Sequence, residues 1–226
     1  SSILRQEIKN IEILFQKALY KECGKFIIRA KKKAYDHEKF YYLFELISWE
    51  KNLLEEAIEF GQFDINLNDL IDEELEVIKK LRNLAEYQML YSQINYLYRS
   101  GGFARNDNER QQVDDIANHQ LIKGKNTAIS LRATTICYYI QGLCAATNRD
   151  YERSADRFSR VKKIMDMNPK IKEDLAKRYV RTLKNLLYCC IEAGDLEGAE
   201  KLILEMRNLI TQKGFNNTDA EVKIFT

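Results

Sequence analysis

A single proline, Pro169, in a chain of 226 residues narrows the possible folds more than any other feature. Proline removes a backbone donor and clashes with the preceding turn, so its absence before residue 169 leaves long helices free to form. Glycine, the other residue that weakens helix interiors, occurs only nine times. Between these few breaks, apolar residues recur three and four positions apart, the spacing of one helix face. The chain therefore reads as all-α, with about nine helices.

In order, residues 3–18 carry Ile3, Ile8, Ile11, Leu14, Phe15 and Ala18 on one side of a first helix. A second helix covers 20–35. A third starts at Asp36 as N-cap and runs to about Phe60, with Phe40, Leu43, Phe44, Ile47, Leu54, Ala57 and Ile58 as its apolar set. The stretch Asn52–Ala57 imitates a turn but holds neither glycine nor proline, so the helix is expected to pass straight through it. Trp49, the only tryptophan, is expected to pack in the core. Residues 61–69, rich in Asn, Asp and Gly, form a loop. Asp69 or Asp72 caps a fourth helix of close to 30 residues that ends near Arg99. A polar, mobile connection leads to a short helix over 107–121. Asn126 or Thr127 caps the next helix, to Thr147. Further helices cover 151–167, 171–193 and 196–213, the last closed by Gly214.

The stretch from Tyr138 to Pro169 adds a more specific pattern. Gly142 stands midway along one helix, a turn ends in Asp150-Tyr151, Ser154 opens the next helix, Phe158 follows one turn on, and Pro169 closes the unit. The order recurs downstream in Leu183, Leu187, Cys190, Gly194, Asp195, Leu196, Ala199, Ile203 and Met206, and near the start in Ala18 to Cys23 with Ile27 and Ala30. This resembles the tetratricopeptide (TPR) repeat, in which small residues at a helix crossing let two antiparallel helices approach closely. Arg149 stands where the turn usually has glycine. The turn positions Arg149 and Gly194 are 45 residues apart, against roughly 34 in a typical unit, so the resemblance is to a TPR-like chain with lengthened helices. It covers about 3–36 and 128–213. It implies antiparallel pairs stacked into a right-handed α-solenoid, one domain over 1–226 with units near 3–36, 37–100, 107–167 and 170–213. The helices of 37–100 form an enlarged central pair.

Several functions are disfavoured by composition. With 36 basic against 34 acidic residues the net charge is +2, too small for bulk attraction to nucleic acid or membrane. The one local basic cluster, Arg29 with Lys31 to Lys33, sits at a helix end whose dipole favours cations. No apolar run approaches the roughly 20 residues of a membrane span, and no leader peptide is visible. The five cysteines, Cys23, Cys137, Cys144, Cys189 and Cys190, form no C-x-x-C pair and read as buried free thiols in a reducing cytoplasm. His37 and His119 have no metal-binding partner at helical spacing and read as surface or capping residues. No phosphate loop, nucleophile elbow or zinc motif occurs, Gly101-Gly102 is too little for phosphate binding, and Asp72-Glu73-Glu74 is read as a helix first turn. The expectation is a protein with no catalytic residues, no metal and no cofactor.

The resemblance implies instead a concave face that binds a protein or peptide. Its outward positions fall on Arg5, Ile8, Glu12 and Phe15, on Ile136, Tyr139, Leu143 and Thr147, and on Arg181, Lys184, Tyr188 and Glu192. Of these, Arg181 and Lys184, one turn apart, would clamp a partner carboxylate, with Tyr139, Leu143 and Tyr188 beside it. The alternative it implies is a peptide-sensing domain of a bacterial transcription or signalling regulator. The first residue is not methionine, and 217–225 reads as the start of another helix capped by Thr218 or Asp219. The chain is therefore expected to be a fragment of a longer protein, with leftover apolar faces that allow a homodimer.

Overall fold

A computed structural model describes residues 2–57, 66–209, 212 and 215. The described residues form eleven α-helices and no strand. Their contacts divide into two compact units, Ser1–Arg82 and Asn83–Thr226.

The first unit holds α1 (Ser2–Gln16), α2 (Tyr20–Asp36), α3 (Phe40–Ala57) and the beginning of α4 (Leu67–Gly101). Neighbours α1 and α2, and α2 and α3, pack on each other. Ile11, Cys23, Ile27, Ala30, Leu43, Leu46 and Ile47 are fully buried between them. Trp49 packs edge-on against Phe15, with ring centroids 5.5 Å apart. As expected, α3 continues through Asn52. The expected end near Phe60, Ile58 in its apolar set, and most of the 61–69 loop lie outside the described residues.

The basic cluster of α2 is engaged inside this unit. Lys31 Nζ pairs with Glu50 and, at 2.7 Å, with Glu73. Lys33 reaches Glu7 at 3.4 Å, and the Arg29 guanidinium lies 4.4 Å over the Phe26 ring. Glu74 receives Lys51 at 2.7 Å. Because α4 begins at Leu67, Asp72-Glu73-Glu74 lies past the first turn expected for it, and Glu73 and Glu74 serve these ties instead.

In the second unit, the rest of α4 is joined by α5 (Asp107–Asn118), α6 (Gln120–Lys123), α7 (Leu131–Thr147), α8 (Tyr151–Met167), α9 (Pro169–Asp174), α10 (Ala176–Ala193) and α11 (Leu196–Leu209). Helices α7 and α10 both pack on α8, and α11 packs on α10. Gly142 and Ser154 meet where α7 crosses α8. The Ser154 hydroxyl donates to the Gly142 carbonyl at 3.0 Å and receives the Cys189 thiol at 3.5 Å. The Phe158 ring fills the space beside Gly142 and would stand 2.9 Å from any Cβ added there. Ala199 is likewise buried in this core. Gly194 has a different task. It ends α10 in the left-handed conformation at φ 73°, with open space around it.

One turn recurs after α1, α2, α7 and α10. Its pivot residue has positive φ: Ala18 (54°), Glu38 (47°), Arg149 (59°) and Gly194 (73°). The following N–H donates five residues back, Leu19 to Leu14 (3.0 Å), Lys39 to Ala34 (2.8 Å), Asp150 to Ala145 (2.9 Å) and Asp195 to Cys190 (2.9 Å). This is the Schellman closure, which satisfies carbonyls the helix end leaves unpaired. Three of the four pivots carry a side chain in a conformation that costs an L-residue roughly 1–2 kcal/mol. Arg149 recovers part of that by laying its guanidinium 4.1 Å over Phe103.

Several boundaries differ from the sequence reading, each for a local reason. Eleven helices stand where about nine are expected, because two are interrupted. His119 leaves the helical conformation and its Nδ1 accepts the Leu121 N–H, so residues 107–123 make α5 and α6. Leu175 separates α9 from α10, and nothing in the local sequence marks that break. Asp36 closes α2 and does not open α3, since the Glu38 turn intervenes. Asn66 precedes α4, its side chain accepting the Asn68 N–H at 2.9 Å, which puts Asp69 inside the first turn. Ser130 caps α7 by accepting the Ala133 N–H at 3.1 Å, because Asn126 takes φ 57° and Thr127 is held from α4. The connection after α4 is pinned, with the Ala104 N–H donating to Thr147 O at 3.1 Å. Gly214 and the helix start at 217–225 lie outside the described residues.

Candidate functional site

Four of the five residues proposed from the sequence line one recess of about 310 Å3 in the second unit: Tyr139 and Leu143 from α7, and Arg181 and Lys184 from α10. Asn185 completes the α10 wall, and Asn95, Tyr98 and Arg99 close the recess from the end of α4. The spacing explains the convergence. On α10, 181, 184 and 185 follow one helix face, as do 139 and 143 on α7 and 95, 98 and 99 on α4.

The floor is aromatic and fixed. Tyr139 is 3 % exposed and Leu143 1 %. The Tyr139 ring stands edge-on to Phe158 at 5.2 Å and to Tyr91 at 5.8 Å, and its hydroxyl accepts Asn185 Nδ2 at 3.1 Å. Burial above all, then the neighbouring Tyr91, pushes that hydroxyl above its ordinary pKa, so it stays protonated through the physiological range.

The walls are cationic. Arg99, Arg181 and Lys184 line the recess and no lining residue is acidic. One turn before Arg181, Arg178 lies with its guanidinium 4.4 Å over Tyr91 and 5.3 Å over Tyr139. Its Nη1 is buried and hydrogen-bonds to nothing. Desolvation pulls the Arg178 pKa below its ordinary value, and Arg181 adds to that pull, while the two tyrosines oppose it. Three cations with no acidic residue on the walls make the recess electropositive.

Tyr188 lies outside the recess. It is 42 % exposed and packs edge-on to Tyr151 at 5.7 Å. Of the wider set of outward positions, Ile8, Ile136 and Thr147 are buried, Arg5 donates to the Tyr42 hydroxyl at 3.1 Å, and Phe15 packs on Tyr20 and Trp49. The α4 residues Asn95, Tyr98 and Arg99 were not among the sequence candidates. Tyr98 belongs to the apolar stripe of that helix, and nothing in the local pattern marks it as facing α7 and α10.

Among the described residues no group of three His, Cys, Asp or Glu side chains is arranged to hold a metal ion, and no helix is long and apolar enough to cross a membrane. Searches among protein families, curated proteins and solved structures find no match to this chain.

Proposed function

We propose that the chain is a non-enzymatic binding scaffold, TPR-like with lengthened helices, that holds a protein or peptide partner by an anionic group in the α4–α7–α10 recess. The observation that carries this reading is the set of three cations, Arg99, Arg181 and Lys184, around an aromatic floor with no acidic wall. A carboxylate, from a peptide terminus or an acidic side chain, suits the spacing of Arg181 and Lys184, and half-buried Tyr98 offers apolar surface to the neighbouring residue. The repeat reading draws support from the Gly142–Ser154–Phe158 crossing and from the recurring closure at Ala18, Glu38, Arg149 and Gly194. The stacked right-handed solenoid, with its enlarged central pair, belongs to the same proposal.

The test is fluorescence anisotropy with a labelled pool of short acidic peptides, against the same sequences with carboxylates amidated. The expected result is binding at least about tenfold tighter for the acidic pool, lost on Arg181→Gln or Lys184→Gln and weakened by salt. Equal binding of the two pools, or indifference to both substitutions, contradicts the proposal.

A further inference from the structure

A second basic cavity lies on the opposite stripe of α7. Thr134, Cys137, Tyr138 and Gln141 follow the i, i+3, i+4, i+7 spacing and face away from Tyr139 and Leu143. With the 122–128 loop and the α8 residues Arg157 and Arg160 they enclose about 570 Å3. Lys123, Lys125, Arg157 and Arg160 line it, and no lining residue is acidic. The nearest carboxylate held by these cations is Asp156, which takes Arg160 Nε at 3.2 Å and lies 3.6 Å from Arg157 Nε, beyond hydrogen-bonding distance. Four cations against one acid leave an excess that a single carboxylate does not match.

A neighbouring recess of about 440 Å3 adjoins this cavity and shares Ile122, Lys123, Gln141 and Arg157 with it. Two of those shared residues carry buried polar atoms with no hydrogen-bond partner, Gln141 Oε1 and Arg157 Nε. The Gln141 amide is oriented, because its Nε2 donates to Ile122 O at 2.9 Å, and so its free atom is an acceptor. Arg157 Nε is a donor. A buried polar atom without a hydrogen bond is costly, and a ligand supplying the missing bond would recover that cost. The second recess differs in charge from the first, with Asp114 and Asp150 beside Arg153. The pair of cavities therefore has a cationic end and a mixed polar end, with a donor and an acceptor at the junction that make no hydrogen bond.

We infer that this trough binds a small organic phosphate. The phosphate sits among Lys123, Lys125, Arg157 and Arg160, and the organic part runs past Gln141 with an N–H or O–H group donated to Oε1. A phosphate monoester carries close to two charges at neutral pH and three acceptor oxygens, which suits four cations better than a carboxylate does. Each recess falls within the roughly 300–1,000 Å3 of small-molecule sites. The site is separate from the α4–α7–α10 recess, and its assignment does not rest on peptide binding there.

Isothermal titration of the purified chain with AMP, with inorganic phosphate, and with vesicles containing phosphatidic acid tests the inference and separates a soluble ligand from a lipid headgroup. AMP is expected to bind at least about tenfold tighter than phosphate alone. Lys125→Gln and Arg157→Gln are each expected to weaken AMP about tenfold, and Lys201→Gln, exposed on α11 and outside both recesses, to leave it unchanged. Lys125 is exposed on its loop, so its variant carries the test if Arg157→Gln fails to fold by circular dichroism. Vesicle binding that Lys125→Gln abolishes supports the same phosphate chemistry with a lipid as its source. Failure of AMP and vesicles alike to bind at millimolar concentration, or AMP binding untouched by both substitutions, overturns it. Phosphate binding as tightly as AMP overturns the role given to Gln141.

Discussion

Gly142→Ala measures how closely α7 and α8 approach. The added Cβ would lie 2.9 Å from Cε1 and Cζ of Phe158 and 3.1 Å from Cδ1. Ordinary carbon contacts are roughly 3.5–4.0 Å, so the overlap is about 0.6 Å or more. Phe158 has no room to retreat, being fully buried and stacked edge-on to Tyr139. Overpacking of this kind costs about 1–3 kcal/mol. Alanine also recovers about 1 kcal/mol of helix propensity over glycine. The two effects oppose each other, and the clash should win by up to ~2 kcal/mol. Phe158→Leu removes the ring. In that background Gly142→Ala should change sign and stabilise by roughly 0.5–1 kcal/mol. Urea unfolding followed by far-UV circular dichroism on the four chains of the cycle gives the coupling. Tryptophan fluorescence is unsuited to this purpose, since Trp49 belongs to α3 in the other unit. A stabilising Gly142→Ala in the unsubstituted chain, or an equal effect in both backgrounds, would refute the close-approach argument.

Gly194→Ala should cost about 1 kcal/mol by backbone strain alone, since nothing lies within 4 Å of the new Cβ. Ala18→Gly should gain a similar amount, and melting temperatures moving in the same direction for both would contradict this. Burial pushes the Asp166 carboxyl up, but Lys172 at 2.7 Å, Lys162 at 2.9 Å and the Tyr179 hydroxyl at 2.8 Å hold it below its ordinary 3.8. A lowered carboxyl pKa stabilises the fold above the unfolded value and loses that contribution as pH falls through the folded one. The Asp166 side chain is about a third exposed, so solvent screens these ties: Asp166→Asn should cost about 0.5–1 kcal/mol near pH 7 and flatten the acid limb of a stability–pH curve below about pH 4. Burial raises the Cys144 thiol to about 12 and Cys23 to about 11, so both stay protonated in the fold. The contribution is complete below the unfolded thiol value of 9.0 and drains away as pH climbs toward the folded values. At pH 8, iodoacetamide should label half-buried Cys190 and Cys137 first, with Cys23, Cys144 and Cys189 reacting only after unfolding.

Long helices were legible because their apolar spacing is regular and only one proline interrupts the chain. The crossing at Gly142 and Ser154 was legible too, since small residues in the middle of a helix have few other uses. The turns were harder to read. Glycine marks a left-handed helix end, yet Ala18, Glu38 and Arg149 hold that conformation with side chains attached. At Glu38 the disguise shifts a boundary, since Asp36 is of a residue type that suits a cap yet closes α2. The caps at Asn66 and Ser130 fall a few residues from the expected ones for the same reason, each standing near other polar residues that suit the role equally. In the recess, Arg181 and Lys184 follow from repeat positions along one helix. Arg99, Asn95 and Tyr98 come from a helix more than 80 residues away in sequence, and local periodicity carries no information about which helix will face which.

The loop after α6 hangs from α4. The Asn83 amide donates to Thr127 O at 3.0 Å and accepts the Ile129 N–H at 3.2 Å. The Tyr87 hydroxyl donates to Leu121 O at 2.7 Å and stands 2.8 Å from Thr127 Oγ1. Anyone dissecting this molecule into pieces should place the scissors accordingly. Starting a fragment at residue 107, where the repeat spacing suggests, strands these backbone groups and uncovers the side of α7. Starting it at Asn83, partway along a helix where no sequence signal invites a cut, keeps every one of those hangers attached.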